Sequence, residues 1–305
     1  MTAVLVKAVS LVAIVAVGYG IKKVGWVKPD AFHVLAIVVL RFTLPCALIT
    51  SFNAVTITGS LLWIVLVGFS VNLIQQGYGW WRARRLSQDE RAFAILHSGS
   101  YNVGAFAMPY SAQLVGPVAV VHAAMFDIGS SVASGGIGYG WGLAIARGKR
   151  PTLLGFLAQM VKSPVFDTYL VLFILRLVRF SFPAPIISFT SLVGGANPVV
   201  AMLMIGVGLE LSLPKATWLK AVKYLVRRYV FVLAFCAVVW FVLPTAIFDR
   251  QIKVVIMMVL WAPIAAMIAG FVDEAGSDVE LSALLTSVTI IIGIVMMPAV
   301  YLVLG

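Results

Sequence analysis

The first residues in this chain that could do chemistry are a serine, a tyrosine and an asparagine set in an otherwise apolar stretch. Between Phe93 and Val115 a segment long and apolar enough to cross a bilayer is interrupted by Ser98-Gly99-Ser100-Tyr101-Asn102-Val103-Gly104, with Pro109 following. Proline has no N–H for the carbonyl four residues back, and its ring crowds that carbonyl. Glycines such as Gly99 and Gly104 weaken a helix. In hydrocarbon the freed backbone groups must find partners in protein or in a water-filled cavity. The stretch therefore reads either as a proline kink packed on its neighbours or as a broken helix that forms a binding site. Asn102 offers both donor and acceptor and is the first candidate for substrate contact, with Tyr101 lining the cavity and Gly104 and Pro109 shaping the backbone. Ser98 is a further candidate, although Ser98 and Ser100 can instead bond carbonyls of their own helix.

Ionisable residues inside apolar segments are functional candidates by default. Asp127, a few residues inside the outer end of a later segment, could carry a proton, ligate sodium or pair with Arg41. His97, four residues before Tyr101, could relay a proton near neutral pH or serve as a structural hydrogen-bonding histidine. Arg41 could attract an anion. Asn197 before Pro198 could cap a helix or line the cavity. His33 and His122 fall near segment ends and are expected at the interface, and Glu210 is expected to end a segment among cytoplasmic lysines.

These residues need a membrane scaffold. The 305 residues are 62% hydrophobic and 11% charged, against about 25% charged in soluble domains, so the chain is an all-α integral membrane protein. A span takes about 20 apolar residues, which leaves no room for a separate soluble domain. The apolar pattern places spans at 2–20, 31–52, 58–81, 91–114, 119–146, 164–180, 186–209, 224–247, 251–271 and 280–304. The first, with Lys7 inside it, reads as a retained span. Cys46 and Cys236 lie in spans, so neither a disulfide framework nor a metal site is expected, and no cofactor is implied.

Loops with Lys22, Lys23 and Lys28, with Arg82, Arg84, Arg85 and Arg91, with Arg147, Lys149, Arg150 and Lys162, and with Lys215, Lys220, Lys223, Arg227 and Arg228 alternate with uncharged ones. In a membrane protein such cations report topology, not nucleic acid, and place these loops in the cytoplasm. Both termini are then expected outside. Asp273, Glu274, Asp278 and Glu280 make one inner loop acidic, which that rule tolerates; Arg176, Arg179, Arg250 and Lys253 fall on the other side. Dividing the chain at the basic loop gives 1–147 and 152–305, five spans each and so inverted relative to one another. The second span holds Arg41-Phe-Thr-Leu-Pro45 and the seventh Asn197-Pro198; the fourth breaks around Asn102 and Pro109 and the ninth holds Trp261-Ala262-Pro263. Interrupted segments at corresponding places of inverted halves point to a transporter's binding site, and Pro263 joins the candidate set. Pairs such as Gly136/Gly140 and Gly138/Gly142 in the fifth span suit close helix contact.

Four motifs in this order resemble the auxin efflux carrier family of membrane transporters, the plant auxin exporters and bacterial organic-acid permeases: Gly18-Tyr-Gly-Ile-Lys22-Lys23-Val-Gly25 with Pro29; Pro45; Asn102-Val-Gly104 with Pro109; and Asn197-Pro198 leading to Gly206-Val-Gly208-Leu209. Ala262-Pro263 with Asp273-Glu274 extends the likeness. The resemblance implies two inverted five-helix repeats, within the fold shared with bile-acid transporters. Spans 4 and 9 would be broken and would cross near mid-membrane beside a scaffold of spans 1, 2, 6 and 7, with spans 3–5 and 8–10 as the transport part. It also implies a substrate site at the crossing, elevator-type alternating access and a homodimer. Arg41 and Asp127 depart from the uncharged polar residues expected there.

Broken helix ends suit a carboxylate at their N-termini and a cation at their C-terminal carbonyls. The expected function is therefore a secondary transporter of a small organic anion in the cell membrane. The alternatives are a sodium- or proton-coupled symporter of bile-acid-transporter type, a membrane-embedded enzyme and a channel. The sequence lacks the GxGD, GxSG, HExxH or DDxxD patterns of a membrane protease, metal or diphosphate enzyme. A monovalent anion leaving a negative-inside cell gains about 2.3 kcal/mol per 100 mV, so export needs no coupling ion while uptake does. Asp127 is indispensable in a symporter and dispensable in a facilitated exporter.

Overall fold

The computed structural model describes residues 2–28, 30–55, 59–148, 164–210 and 215–305. Pro29 and the loop cations Lys149, Arg150 and Lys162 lie outside the described residues. Every regular element among the described residues is helical. Helix α1 (Thr2–Lys23) is followed by α2 (Ala31–Val38), which passes through a π-helical turn, Val39–Thr43, into α3 (Leu44–Asn53). Helix α4 (Gly59–Ala83) comes next, then α5 (Gln88–Ser98), a non-helical break, a π turn at Val103–Ala107 and α6 (Met108–Leu114). Helix α7 (Pro117–Ser130) runs through a π-helical stretch, Ser131–Gly138, into α8 (Tyr139–Ala146). After the undescribed loop come α9 (Pro164–Leu177), α10 (Ala184–Gly195), α11 (Asn197–Gly208) and α12 (Lys215–Ala237) with a terminal π turn, Val238–Val242. Helix α13 (Arg250–Leu260) breaks before α14 (Met267–Glu274), and α15 (Val279–Leu304) ends the chain.

Seven of these rods are long and apolar enough to cross a membrane as continuous helices. The stretches 88–114 and 250–274 are interrupted, and α9 is short, its chain turning where Arg179 takes a positive φ of 58°. The chain is a multi-pass membrane protein. Its lipid-facing surfaces are visible as bare apolar faces such as Leu219, Val222, Val226, Val230 and Leu233 on α12.

Side-chain caps sort the rod ends onto two faces. On one, Lys22 pairs with Glu210 (3.1 Å), Arg147 with Glu274 (2.9 Å) and Lys220 with Asp278 (3.8 Å). The acidic loop after α14 thus lies on the basic face, against its cations. On the other face, Arg176 donates to the carbonyl of Val55 (Nη2, 2.9 Å), Arg250 to that of Leu304 (3.0 Å) and Lys253 to that of Trp240 (3.1 Å). Those cations satisfy helix-terminal carbonyls.

Two prolines do not break their helices: Pro45 and Pro109 each lie shortly after a π turn, and a π turn absorbs a missing N–H and the ring's bulk without ending a helix. Pro244 and Pro263, by contrast, lie where helices have ended. Pro109 is a correction to the sequence expectation. It lies just past the π turn inside a continuous helical run, 103–114, and the interruption lies upstream at Gly99–Asn102.

Close helix contact occurs where glycines allow it. A Cβ on Gly206 of α11 would run into the Val15 carbonyl of α1, and one on Gly18 into the Leu203 carbonyl; at Gly20 it would meet nothing. In the fifth span Gly138 makes room for Gln76 and Gly142 for Leu96. Gly206→Leu is expected to destabilise the protein in detergent by about 1–3 kcal/mol of overpacking or more, and Gly20→Leu to leave the melting temperature within a degree or two. Paired thermal melts of the two variants check this.

Candidate functional site

The two interrupted segments meet. The Asn102 N–H donates to the Pro263 carbonyl (2.7 Å), and the Ala265 N–H donates to Ser100 Oγ (3.1 Å). Chain after the break also bonds to its neighbours: Ile264 N–H donates to Thr289 Oγ1 on α15 (3.0 Å), and Gln76 Nε2 on α4 donates to the Gly99 carbonyl (3.2 Å). These freed backbone groups thus have protein partners, as a water-poor interior demands.

Arg228 ties the crossing together. One guanidinium nitrogen, Nη2, donates to the carbonyls of Ser100 (2.8 Å) and Ala262 (3.0 Å), which follow the ends of α5 and α13, and the cation lies over the Tyr101 ring at 4.7 Å. Helix C-terminal carbonyls carry partial negative charge, so a cation is the partner they favour. The side chain is 7% exposed. The sequence assigns Arg228 to a cytoplasmic loop; α12 in fact begins at Lys215, which carries Arg228 roughly 20 Å into the bundle. The signal was the stripe Ala221, Arg228, Val232, Cys236 and Val239, all buried on one face of α12.

A second group missed in the sequence is the polar row Asn72, Gln75 and Gln76 on α4, spaced to lie on one helix face and all buried. Gln75 Oε1 accepts from Tyr101 OH (3.0 Å). Tyr101 consequently points into this network, against Phe126, and lines neither of the two cavities at the crossing. Ser98 Oγ donates to the Ala94 carbonyl (2.6 Å), the local back-bond. His97 ends α5 before the break, so it shares no continuous helix face with Tyr101. It stacks on Phe93 (4.2 Å), and its Nε2 is 3.0 Å from Ser282 Oγ.

Asp127 is buried deep in α7, roughly 15 Å from the helix start at Pro117, and not near the interface. Tyr169 OH of α9 donates to its Oδ2 (2.7 Å). Both flank the break: a Cβ on Gly104 would stand 3.5 Å from Tyr169 OH and 3.8 Å from Asp127 Oδ2. Arg41 is exposed on the second-span π turn, and among the described residues no ion pair joins it to Asp127. Asn197 is buried, but as the acceptor of a bond from Thr43 Oγ1 (2.7 Å) that locks α11 to the second span; Ala196 is the residue at the cap. His122 is buried near the start of α7, and His33 is exposed at the start of α2.

Two cavities flank the crossing. One, of about 230 Å³, is lined by Asn102 together with Gly208, Glu210, Ala266, Thr286 and Ser287, between the end of α11 and the start of α14. The other, of about 210 Å³, lies between α4, α5 and α12. Of the candidates, Asn102 and Pro263 sit at the crossing, Gly104, Tyr101 and Asp127 pack beside it, Arg41 is exposed and Asn197 is bonded to Thr43.

The family described as membrane transport protein matches residues 3–139, a little under half of the chain, including the fourth-span break and Asp127. No curated protein matches the chain.

Arg228→Ala would strand the carbonyls of Ser100 and Ala262 in a poorly hydrated interior, at about 1–3 kcal/mol for each unsatisfied group. A melting temperature several degrees below the parent is expected in detergent, with Arg228→Lys intermediate. Equal melting of parent and Arg228→Ala would show that the guanidinium does not hold the crossing.

Proposed function

We propose that the protein is a secondary transporter of a small organic anion, a reading supported by the match of residues 3–139 to the membrane transport protein family and by the motifs that resemble the auxin efflux carriers. The observation that carries this is the backbone contact between Asn102 and Pro263, which brings two interrupted helices together beside a cavity that Asn102 lines. The N-terminal ends of the π turn at Val103 and of α14 are the partial positive charges a carboxylate seeks, and the Asn102 amide adds a donor. Glu210 in the same cavity is paired with Lys22, which offsets its charge.

In this reading the chain forms ten spans in two inverted repeats, 1–147 and 152–305, with both termini outside the cell membrane. Spans 1, 2, 6 and 7 are the scaffold, through which two copies would associate, and spans 3–5 and 8–10 move as an elevator. Asp127 then rides on the moving part and Tyr169 on the scaffold. Their hydrogen bond has to open in each cycle and holds one end state closed. A transport role is consistent with a protein that is not an enzyme. The reading that competes is coupled symport, favoured by the burial of the Asp127 carboxylate.

Asn102→Ala is expected to lower uptake into proteoliposomes by ten-fold or more, about the 1.4 kcal/mol of one lost polar contact, for a carboxylate first identified by thermal-shift screening. Unchanged flux would remove Asn102 from the site. For coupling, Asp127→Asn and the parent are compared under an imposed proton gradient, and with and without sodium. An exporter keeps substantial flux in the variant, whereas a symporter loses its response to the gradient or to sodium.

A further inference from the structure

The second cavity is unlike the one Asn102 lines. Arg228 closes its inner end, Arg227 is half-buried on its wall and Arg82 is exposed at its mouth. Nη2 of Arg228 is engaged by the two carbonyls and the Tyr229 hydroxyl lies beside the guanidinium, but Nε and Nη1, both buried, make no well-formed hydrogen bond. Among the described residues no carboxylate pairs with any of the three arginines. Nδ1 of His97, which also lines this cavity, is buried without a partner as well. A buried cation without a counter-ion is costly, and a guanidinium with donors to spare is shaped for a carboxylate or phosphate. The rest of the wall, including Leu86, Phe231, Ile264 and Leu285, is apolar.

We propose that this cavity is a second anion site, separate from the one at Asn102, which takes the oxyanion head of a small amphipathic molecule toward Arg228 and its apolar body against Phe231 and Leu285. Arg82 and Arg227 attract the head from the basic face. Because Arg228 also holds Ser100 and Ala262, an anion bound there is linked to the crossing through one side chain. The proposal does not depend on which solute the protein carries. The shared ligand chemistry, a singly headed oxyanion on an apolar chain, is met by a free carboxylate or by an anionic lipid headgroup.

The test is a thermal-shift titration of the full-length protein in neutral detergent with hexanoate, hexyl phosphate and hexanol, on the parent, on Arg82→Gln/Arg227→Gln and on Asn102→Ala. Saturable stabilisation is expected from the two anions and not from hexanol. Loss of the two attracting charges should weaken apparent affinity about ten-fold or more in the double variant, and Asn102→Ala should bind as the parent does. Added phosphatidylglycerol that displaces hexanoate would identify a lipid headgroup as the occupant; failure to displace it would identify a free anion. Stabilisation by hexanol equal to that by hexanoate, anion binding unchanged in the double variant, binding lost in Asn102→Ala, or no stabilisation at all would each overturn the proposal.

Discussion

Everything at the centre of this protein follows from one constraint: a backbone that leaves the helix deep in an apolar bundle has to be satisfied by protein. The freed carbonyls of Gly99, Ser100, Ala262 and Pro263 and the freed amides of Asn102, Ile264 and Ala265 all find partners. Those partners come from α4, α12, α15 and the opposing break. Neither interruption is self-sufficient. The family match ends at residue 139, yet the fourth-span break is completed by residues 228 to 265, so the first half of the chain supplies only part of its own central structure.

This constraint explains why proline is a poor guide to where a membrane helix stops. At Pro45 and Pro109 the chain widens into a π turn and carries on. At Gly99–Asn102 it opens, because side chains of neighbouring helices are positioned to take the loose groups. A break is thus decided by what faces it, and what faces it is not written in the segment that breaks.

The same argument sets how much was legible in the sequence. The helical rods and the two interruptions, near Asn102 and near Pro263, were readable, because apolar length and runs of glycine, proline and polar residues are local properties. The role of Asn102 as a residue of the crossing was readable from its company of glycines and serines. Arg228 was not assigned correctly, because an arginine flanked by Arg227 near an expected loop looks like a topology signal until α12 is extended to Lys215. The bond between Asp127 and Tyr169 was invisible: it joins residues 42 apart in sequence, and a tyrosine in an apolar helix carries no mark of its partner. Asn197 was read as a cap or cavity residue and is a cross-brace to Thr43, since polar pairing between spans depends on rotation about the helix axis, which span boundaries do not fix.

The arrangement of charge completes the picture. The ion pairs among the described residues lie on the basic face, where exposed pairs contribute little to stability and instead fix which rod ends share a face. At the core, a carboxylate and a guanidinium both border the fourth-span break and yet are kept apart. Asp127 takes a hydroxyl beside Gly104; Arg228 takes two carbonyls and a tyrosine ring beside Ser100. Had they met, each would have cancelled the other and the crossing would hold a closed pair with nothing to offer a solute. Held separately, each is satisfied by neutral groups of its own: the carboxylate by the Tyr169 hydroxyl, the guanidinium by two backbone carbonyls and a ring face.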